Sequence, residues 1–240
     1  MGIHRRAPDD QVPAQARPPL TIALWILAAY LLGATPTSYL AGRMARGIDL
    51  REHGSKNLGA TNVYRLLGWR YAIPVALFDI GKGALPVVLF SRWAGGGAGG
   101  DALPWLPVAL GGAAVVGHMF SPYVHFKGGK GVATAAGMFL ALAPLALVLA
   151  VPVWALCVWL TGYVSLSSMI AALSVPAWLR LTGPDSPYVF GASLALAGLI
   201  VFAHRRNLGR LVRGTENRFR TRGWRSGGGA ERAGKGPAHS

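Results

Sequence analysis

Seven apolar stretches constrain this sequence of 240 residues more than any other feature, because each is a candidate membrane helix. An α-helix needs about 20 apolar residues to cross the ~30 Å hydrocarbon core of a bilayer. Only 14% of the residues are charged, whereas about a quarter are charged in ordinary soluble domains. We therefore expect an all-α membrane protein, a polytopic bundle of about seven transmembrane helices. The windows cover residues 20–44, 70–93, 103–120, 131–143, 145–161, 164–182 and 187–203.

The fourth window is the weakest of these candidates. It is shorter than a full crossing, and Pro144 separates it from the fifth window. A bundle of six spans plus a half-helix is therefore the alternative count.

The chain carries a net charge of +15, and the positions of its Lys and Arg residues predict its orientation. Most of them follow the first, third or seventh window, and few lie in the remaining loops. Loops rich in Lys and Arg stay in the cytosol. We expect an N-terminus outside the cell, a C-terminus in the cytosol, and a basic cytosolic rim beside anionic lipid headgroups.

Both ends of the chain differ in composition from the apolar middle. Residues 1–19 contain four prolines and no apolar periodicity, and residues 214–240 are rich in arginine and glycine. We expect both to be disordered tails around a transmembrane domain at 20–213. The C-terminal tail lacks the interleaved aromatic residues of a nucleic-acid binder, so we expect no nucleic-acid partner.

A polar stretch after the first window has the composition of an anion-binding loop. Backbone N–H groups, hydroxyls and side-chain amides surround one cation there. A solvated loop with turn residues would have the same composition, so this pattern alone leaves both interpretations open. The residues concerned are Gly54, Ser55, Asn57, Gly59, Thr61, Asn62 and Arg65.

A second segment, residues 117–131, is rich in glycine and leads directly into the helix predicted from Val132. Glycines allow the backbone to approach a phosphate, a helix N-terminus supplies oriented N–H groups, and Lys127 and Lys130 add full charges. This pattern favours phosphate binding over a basic turn. Two such loops on one side of the membrane indicate two phosphates or one large phosphorylated substrate.

Polar residues within or beside the predicted helices form a third group of candidates. Asp79 and Lys82 are three residues apart and share a helix face, which suits either a structural ion pair or a direct substrate role. The serines at 165, 167 and 168 either cap the sixth helix or bind a ligand. His204 and Asn207 close the seventh helix beside arginines that are typical of an interfacial stop signal.

Covalent and metal-dependent catalysis are not indicated. Cys157 lies in mid-helix without a neighbouring histidine, and the chain has no Gly-x-Ser-x-Gly nucleophile elbow. His118 and His125 have no cysteine or carboxylate nearby in the sequence, so we expect no metal site and no cofactor. Chemistry at this site should be direct transfer between bound substrates.

In these segments the chain strongly resembles the bacterial PlsY family, the membrane-embedded acyl-phosphate:glycerol-3-phosphate acyltransferases. Two positions depart from the family pattern: Ala34 replaces a usual serine, and Lys56 replaces the glycine common in a Gly-Ser-Gly-Asn turn. Glycine adopts positive φ and lysine rarely does, so Lys56 leaves open whether the first loop has the backbone conformation of the family. The shared motifs, in the family's order, are residues 33–40 with 49–62, 79–83, 117–122 with 126–134, 163–168, and 204–207 with 214–216.

The resemblance implies an activity. An acyl group would move from acyl-phosphate to the 1-hydroxyl of sn-glycerol 3-phosphate, giving lysophosphatidate and inorganic phosphate. The mixed anhydride is already activated, so the enzyme needs positioning and charge stabilisation rather than a covalent nucleophile.

As a hypothesis, we assign these residues to two groups of site residues. The first phosphate would lie in the loop around Arg65, the second on the glycines before Lys130, and the proton acceptor would be His118 or a phosphate oxygen of the acyl donor. The catalytic candidates are Ser55, Arg65, Lys130 and His118. The substrate-binding candidates are Asn57, Thr61, Asn62, Asp79, Lys82, Gly128, Gly129, Ser168, His204 and Asn207.

A transporter for an organophosphate or another anion is the competing hypothesis. The chain has no convincing internal repeat, and its polar motifs gather at one membrane face instead of the midplane, where transporter sites lie. We therefore expect an enzyme of the bacterial inner membrane with a site that faces the cytosol. Its partners would be the two substrates, membrane lipid and an upstream enzyme that forms acyl-phosphate.

Overall fold

The computed structural model describes residues 19–94 and 103–219, and within these ranges the chain is helical with no β-strand. A π-helical turn at Pro86–Phe90 joins α4 to α5, and a 3-10 turn at Pro122–Val124 follows α6. The all-α prediction is confirmed. The α-helices are α1 (Pro19–Ala34), α2 (Thr37–Arg46), α3 (Ala60–Leu67), α4 (Trp69–Leu85), α5 (Ser91–Ala94), α6 (Leu106–Met119), α7 (Val132–Leu142), α8 (Pro144–Thr161), α9 (Val164–Thr182), α10 (Pro187–Ala203) and α11 (Arg205–Val212).

Among the described residues, four helical stretches are long and apolar enough to cross a membrane. They are Pro19–Arg46, Trp69–Ala94, Pro144–Thr161 and Val164–Thr182. α10 and α11 form a fifth candidate if their bend of 56° is counted within one span. α6 has 14 residues and α7 has 11, fewer than a full crossing needs. Helices therefore occupy all seven predicted windows, whereas the count of seven spans and the orientation of the termini stay predictions.

Reciprocal glycines bring two pairs of helices into backbone contact. α4 and α7 meet at Gly83 and Gly137, where an added Cβ would overlap backbone atoms of Thr134 and Ile80, respectively. α1 and α6 meet in the same way through the glycines at 33 and 117. Close packing of this kind supplies the attraction between membrane helices, because apolar lipid provides little hydrophobic drive. These contacts fix α6 and α7, and the second glycine-rich loop connects those two helices.

Residues 214–219 pack against the helices, so the described chain continues past the predicted domain boundary at 213. The N–H of Phe219 donates to the carbonyl of Gly162 at 2.6 Å, and its ring lies 5.1 Å from the Tyr64 ring. The Nε of Arg218 donates to the Tyr163 hydroxyl at 2.9 Å. We call residues 214–219 the C-terminal strap. The rest of the predicted C-terminal tail and the predicted N-terminal tail up to residue 18 lie outside the described residues.

We expect Gly83→Ala to destabilise the bundle, because its Cβ would overlap the Thr134 carbonyl. Overpacking of this kind costs roughly 1–3 kcal/mol. Gly81→Ala, in the same helix, is the control, since no atom lies within 4 Å of its added Cβ and alanine favours helix by about 1 kcal/mol. Thermal unfolding in detergent should give a lower midpoint for Gly83→Ala only. Equal midpoints would show that α4 and α7 do not depend on this contact.

Candidate active site

A cavity of about 510 Å³ lies among α3, α4, α7, α8, α9 and α10. Its polar part contains residues of both loops singled out in the sequence, and its apolar part lies between α7, α8 and α9. Ligand sites commonly have this size and combine an apolar wall with a few polar groups. The cavity is therefore the candidate substrate site. The predicted site residues that line it are Ser55, Asn57, Thr61, Asn62, Arg65, Asp79, His118, Lys130, Ser168, His204 and Asn207.

Asn62 organises the first loop with a side chain that is only 1% exposed. Its Oδ1 accepts the N–H of Ser55 at 2.9 Å. Its Nδ2 lies 3.1 Å from each of the carbonyl oxygens of Leu50, His53 and Asn57. The buried amide of Asn62 thus fixes a compact conformation of the loop, with Ser55 and Asn57 at the cavity. The polar atoms of Asn62 are engaged within the protein, so its predicted role in substrate binding becomes a role in loop structure.

Lys56 has a φ of +57°, in the left-handed region that glycine adopts without strain. For other residues this conformation costs roughly 1–2 kcal/mol. The first loop therefore has the backbone expected for the glycine that the family commonly has at this position. The Lys56 side chain is exposed and does not line the cavity.

Arg65 and Thr61 line the cavity from α3. Thr61 is the second residue of this helix, and its backbone N–H precedes the first N–H groups that donate to the Gly59 carbonyl, those of Asn62 and Val63. The guanidinium of Arg65 is 3.4 Å from the carbonyl oxygen of Asn217 in the strap, and it keeps further donors for a ligand. Hydroxyl, helix N-terminus and guanidinium together suit an anion.

The second loop uses the N–H groups of its glycines to hold its own shape. Gly128 donates to the carbonyl of Met119, and Gly129 donates to the carbonyl of His118, each at 3.1 Å. The sequence predicts these amides as phosphate ligands, but their hydrogens are bonded within the protein, and neither glycine lines the large cavity.

The two loops meet at Gly129. An added Cβ there would overlap both the ring Nε2 of His118 and the carbonyl oxygen of Leu58, which belongs to the first loop. Only glycine allows this approach, so the second loop lies in backbone contact with the first. The two predicted anion sites therefore border one cavity.

Lys130 and the N-terminus of α7 form the cationic wall of the cavity. The Nζ of Lys130 donates to the side-chain oxygen of Asn207 and so ties this wall to α11. Burial lowers the pKa of the Lys130 ammonium to about 8. α7 begins at Val132, and the N–H groups of its first turn have no intrahelical partner. A cation beside such a helix end is well suited to a phosphate.

Glu216, in the strap, is a site residue that the sequence pattern does not indicate. Its Oε1 accepts from Asn207 at 2.6 Å and from Ser165 at 2.8 Å, and its Oε2 accepts from Arg210 at 2.6 Å. Burial alone would raise the pKa of Glu216, but these donors outweigh it and hold the pKa below its ordinary value. Glu216 thus fixes Asn207, which in turn holds Lys130. A lone glutamate in a basic segment carries no signal beyond its place in the family motif.

His204 follows the end of α10 and lines the cavity as a neutral ring. Its Nδ1 lies 2.8 Å from the carbonyl oxygen of Ile200. A carbonyl only accepts, so Nδ1 carries the hydrogen and Nε2 carries a lone pair. Burial, together with the charge of Lys130, lowers the pKa of His204 to about 4. The ring therefore offers an acceptor that suits a hydroxyl.

Asp79 and Lys82 form an ion pair of 2.7 Å in which both side chains are 2% exposed. Asp79 and His118 line the cavity, whereas Lys82 lies behind it. The Nζ of Lys82 also donates to the carbonyl of Thr35 at 2.9 Å. The geometry supports the ion-pair alternative for these two residues and gives Lys82 no path to substrate.

The apolar part of the cavity begins where Trp154 meets Ser168. The indole N–H of Trp154 donates to the Ser168 hydroxyl at 3.3 Å, and that hydroxyl donates to the carbonyl of Val164 at 2.8 Å. Small side chains then leave room for a hydrocarbon between the helices. The alanines concerned are Ala133, Ala136, Ala150, Ala171 and Ala172, with Phe139 and Val175 farther along the helices.

Comparisons with known proteins agree with this arrangement. The family model described as glycerol-3-phosphate acyltransferase matches residues 23–214. A Chlorobaculum parvum protein named glycerol-3-phosphate acyltransferase is 42% identical over 227 residues, covering 83% of this chain and 97% of that protein. A protein of the same name from Trichlorobacter lovleyi is 44% identical over 196 residues, covering 82% of this chain and 96% of that protein.

A solved structure gives the same result. The crystal structure of PlsY (YgiH), an integral membrane glycerol 3-phosphate acyltransferase, in its glycerol 3-phosphate form matches with a TM-score of 0.74 and 36% identity. The match covers 84% of this chain and 96% of that chain. Its lysophosphatidic acid form matches with a TM-score of 0.73 and 35% identity.

Fold, cavity and relatives together define a membrane-embedded acyltransferase. The chain belongs to the glycerol-3-phosphate acyltransferase family. The transporter hypothesis is not supported, because the matched family and relatives are acyltransferases.

Proposed function

We propose that this protein transfers a fatty acyl group from acyl-phosphate to the 1-hydroxyl of sn-glycerol 3-phosphate, releasing lysophosphatidate and inorganic phosphate. The supporting observation is one cavity that combines two cationic loops with an apolar wall. Acyl-phosphate has an anionic head and an apolar tail, and glycerol 3-phosphate supplies a second phosphate. A cavity with these three features suits both substrates at once.

One phosphate binds at Arg65 with the hydroxyls of Ser55 and Thr61 and the first turn of α3. The other binds at Lys130 with the free N–H groups of the first turn of α7. This assignment replaces the glycine amides at 128 and 129, whose hydrogens are used within the protein. The neutral ring of His204 accepts a hydrogen bond from a glycerol hydroxyl.

The reaction forms one bond and breaks another at the acyl carbonyl carbon. The oxygen of the 1-hydroxyl attacks this carbon, and the bond from the carbon to the phosphate oxygen breaks. The hydroxyl proton passes to the leaving phosphate, or to His118. Lys130 and the N-terminus of α7 stabilise the negative charge that develops on the carbonyl oxygen and the phosphate. The anhydride is already activated, so the reaction requires no acyl-enzyme.

The site faces the cytosol of the bacterial inner membrane in this proposal. Support comes from the Lys and Arg residues, which concentrate in the segments that carry the site loops. Glycerol 3-phosphate then arrives from water, and the acyl-phosphate arrives from the bilayer. An upstream enzyme must supply this donor by joining an activated acyl group to phosphate.

The activity itself is tested with purified protein in detergent. Palmitoyl phosphate and glycerol 3-phosphate should give inorganic phosphate and lysophosphatidate in equal amounts. Palmitoyl-coenzyme A in place of palmitoyl phosphate should give no lysophosphatidate. Phosphate release without lysophosphatidate would indicate hydrolysis, and product from palmitoyl-coenzyme A would contradict the proposed donor.

Arg65→Ala and Lys130→Ala should each lower kcat/KM strongly, since each removes a cation from a phosphate. Loss of one preorganised charge contact costs about 2–4 kcal/mol of transition-state stabilisation. Lys127→Ala is the matched control, because Lys127 lies in the same loop as Lys130 but is exposed and does not line the cavity. Losses below about threefold in both test variants, or an equal loss in the control, would refute the phosphate assignment.

The pKa of Lys130 predicts how the rate depends on pH. The ammonium is charged below its pKa and neutral above it, so kcat/KM should fall as pH rises through about 8. Lys130→Arg keeps its cation throughout this range, and its profile should lose the fall or shift it to higher pH, whatever its absolute rate. The same fall in both proteins would assign the titration to another group.

A further inference from the structure

The ion pair of Asp79 and Lys82 is unusual because both charged side chains are almost fully buried. Both side chains are 2% exposed, and both lie in α4, within a stretch apolar enough to span the membrane. Burying two charges is unfavourable, and apolar residues of similar size often replace such pairs without loss of stability. Asp79 lines the large cavity but Lys82 does not, so direct substrate binding does not explain why the lysine is buried there.

One oxygen of Asp79 gathers groups from three helices. Its Oδ1 accepts from the Thr37 hydroxyl of α2 at 2.8 Å and from Lys82 of α4 at 2.7 Å. The same oxygen lies 3.7 Å from the Nδ1 of His118 in α6. Lys82 donates in addition to the carbonyl of Thr35, at the break between α1 and α2. The carboxylate is therefore the centre of a polar cluster at the wall of the cavity, with Lys82 on the side away from it.

His118 connects this cluster to the loops that line the cavity. Its ring packs against the α-carbon of Gly129, at the position where a Cβ would overlap Nε2. Its carbonyl accepts the N–H of Gly129 at 3.1 Å. The carbonyl of Leu58, in the first loop, lies against the other side of the same glycine. A shift of the His118 ring would therefore move the point at which both loops meet, one residue before Lys130.

We propose that Asp79 is a positioning residue that acts through His118 to hold Lys130 and the N-terminus of α7 in register with the first loop. Lys82 balances the charge of Asp79 and anchors the cluster to the break between α1 and α2. This inference rests on the proposed function in one respect, that Lys130 and the N-terminus of α7 bind phosphate. It also gives His118 a supporting part that does not require proton transfer.

The test removes the pair without leaving a lone buried charge. Asp79→Leu/Lys82→Met replaces both residues with apolar side chains of similar size, a change that proteins often tolerate. Its thermal midpoint should stay close to that of the wild type. Its affinity for inorganic phosphate, measured by titration calorimetry, should fall at least tenfold, and kcat/KM for palmitoyl phosphate should fall with it. Native phosphate affinity in this folded variant would overturn the proposal.

Leu110→Ala is the control for general destabilisation. Leu110 is fully buried in α6 but does not line the cavity. Its truncation opens a void and should lower the thermal midpoint while phosphate affinity stays within twofold of the wild type. An affinity loss as large as that of the double variant would assign the effect to stability and overturn the proposal.

His118→Phe keeps the ion pair, and it tests the positioning role if the double variant does not fold. With a native midpoint it should also weaken phosphate binding at least tenfold, and native affinity would overturn the proposal. If the double variant folds, adding His118→Phe to it should lower the phosphate affinity by less than a further twofold, because both changes break the same connection. Additive losses of affinity would contradict the proposal.

Two further outcomes separate this inference from other accounts. A fall in kcat with unchanged phosphate affinity would identify Asp79 and His118 as a proton-accepting pair, and would overturn the positioning role. Failure of the proposed function would appear differently, as wild-type protein that binds phosphate but forms no lysophosphatidate from palmitoyl phosphate.

Discussion

Backbone contact at glycine is the constraint on which the rest of this structure depends. α4 and α7 touch through Gly83 and Gly137, and the second loop touches the first at Gly129. A single Cβ at any of these points would overlap a carbonyl oxygen. Because the helices approach so closely, the start of α7 is fixed relative to α4 and α6. This packing therefore sets the position of the cationic wall of the cavity.

Charge at the site is balanced by groups that are themselves held in place. Lys130 is tied to Asn207, and Asn207 is tied to Glu216 of the strap, which also binds Arg210. Desolvation makes such cations bind anions more strongly, since fewer waters compete for them. It also lowers the pKa of the lysine, so the site gains phosphate affinity at the expense of its working pH range.

The sequence predicts much of the helical content and both loops, because apolar length, glycines and isolated cations are local signals. It does not predict where the glycine amides point, since Gly128 and Gly129 donate to carbonyls that only the α6–α7 connection brings near. Glu216 carries no local signal, because its partners come from α9 and α11. The number of spans is also hard to read, since α6 and α7 are short helices inside longer apolar windows.

In the proposed reaction both substrates occupy one cavity, and the acyl group passes directly between them. Initial rates measured while both substrate concentrations are varied test this most directly. A ternary complex gives double-reciprocal lines that intersect, which is the predicted result. Parallel lines, together with a burst of phosphate from palmitoyl phosphate alone, would indicate an acyl-enzyme and contradict direct transfer.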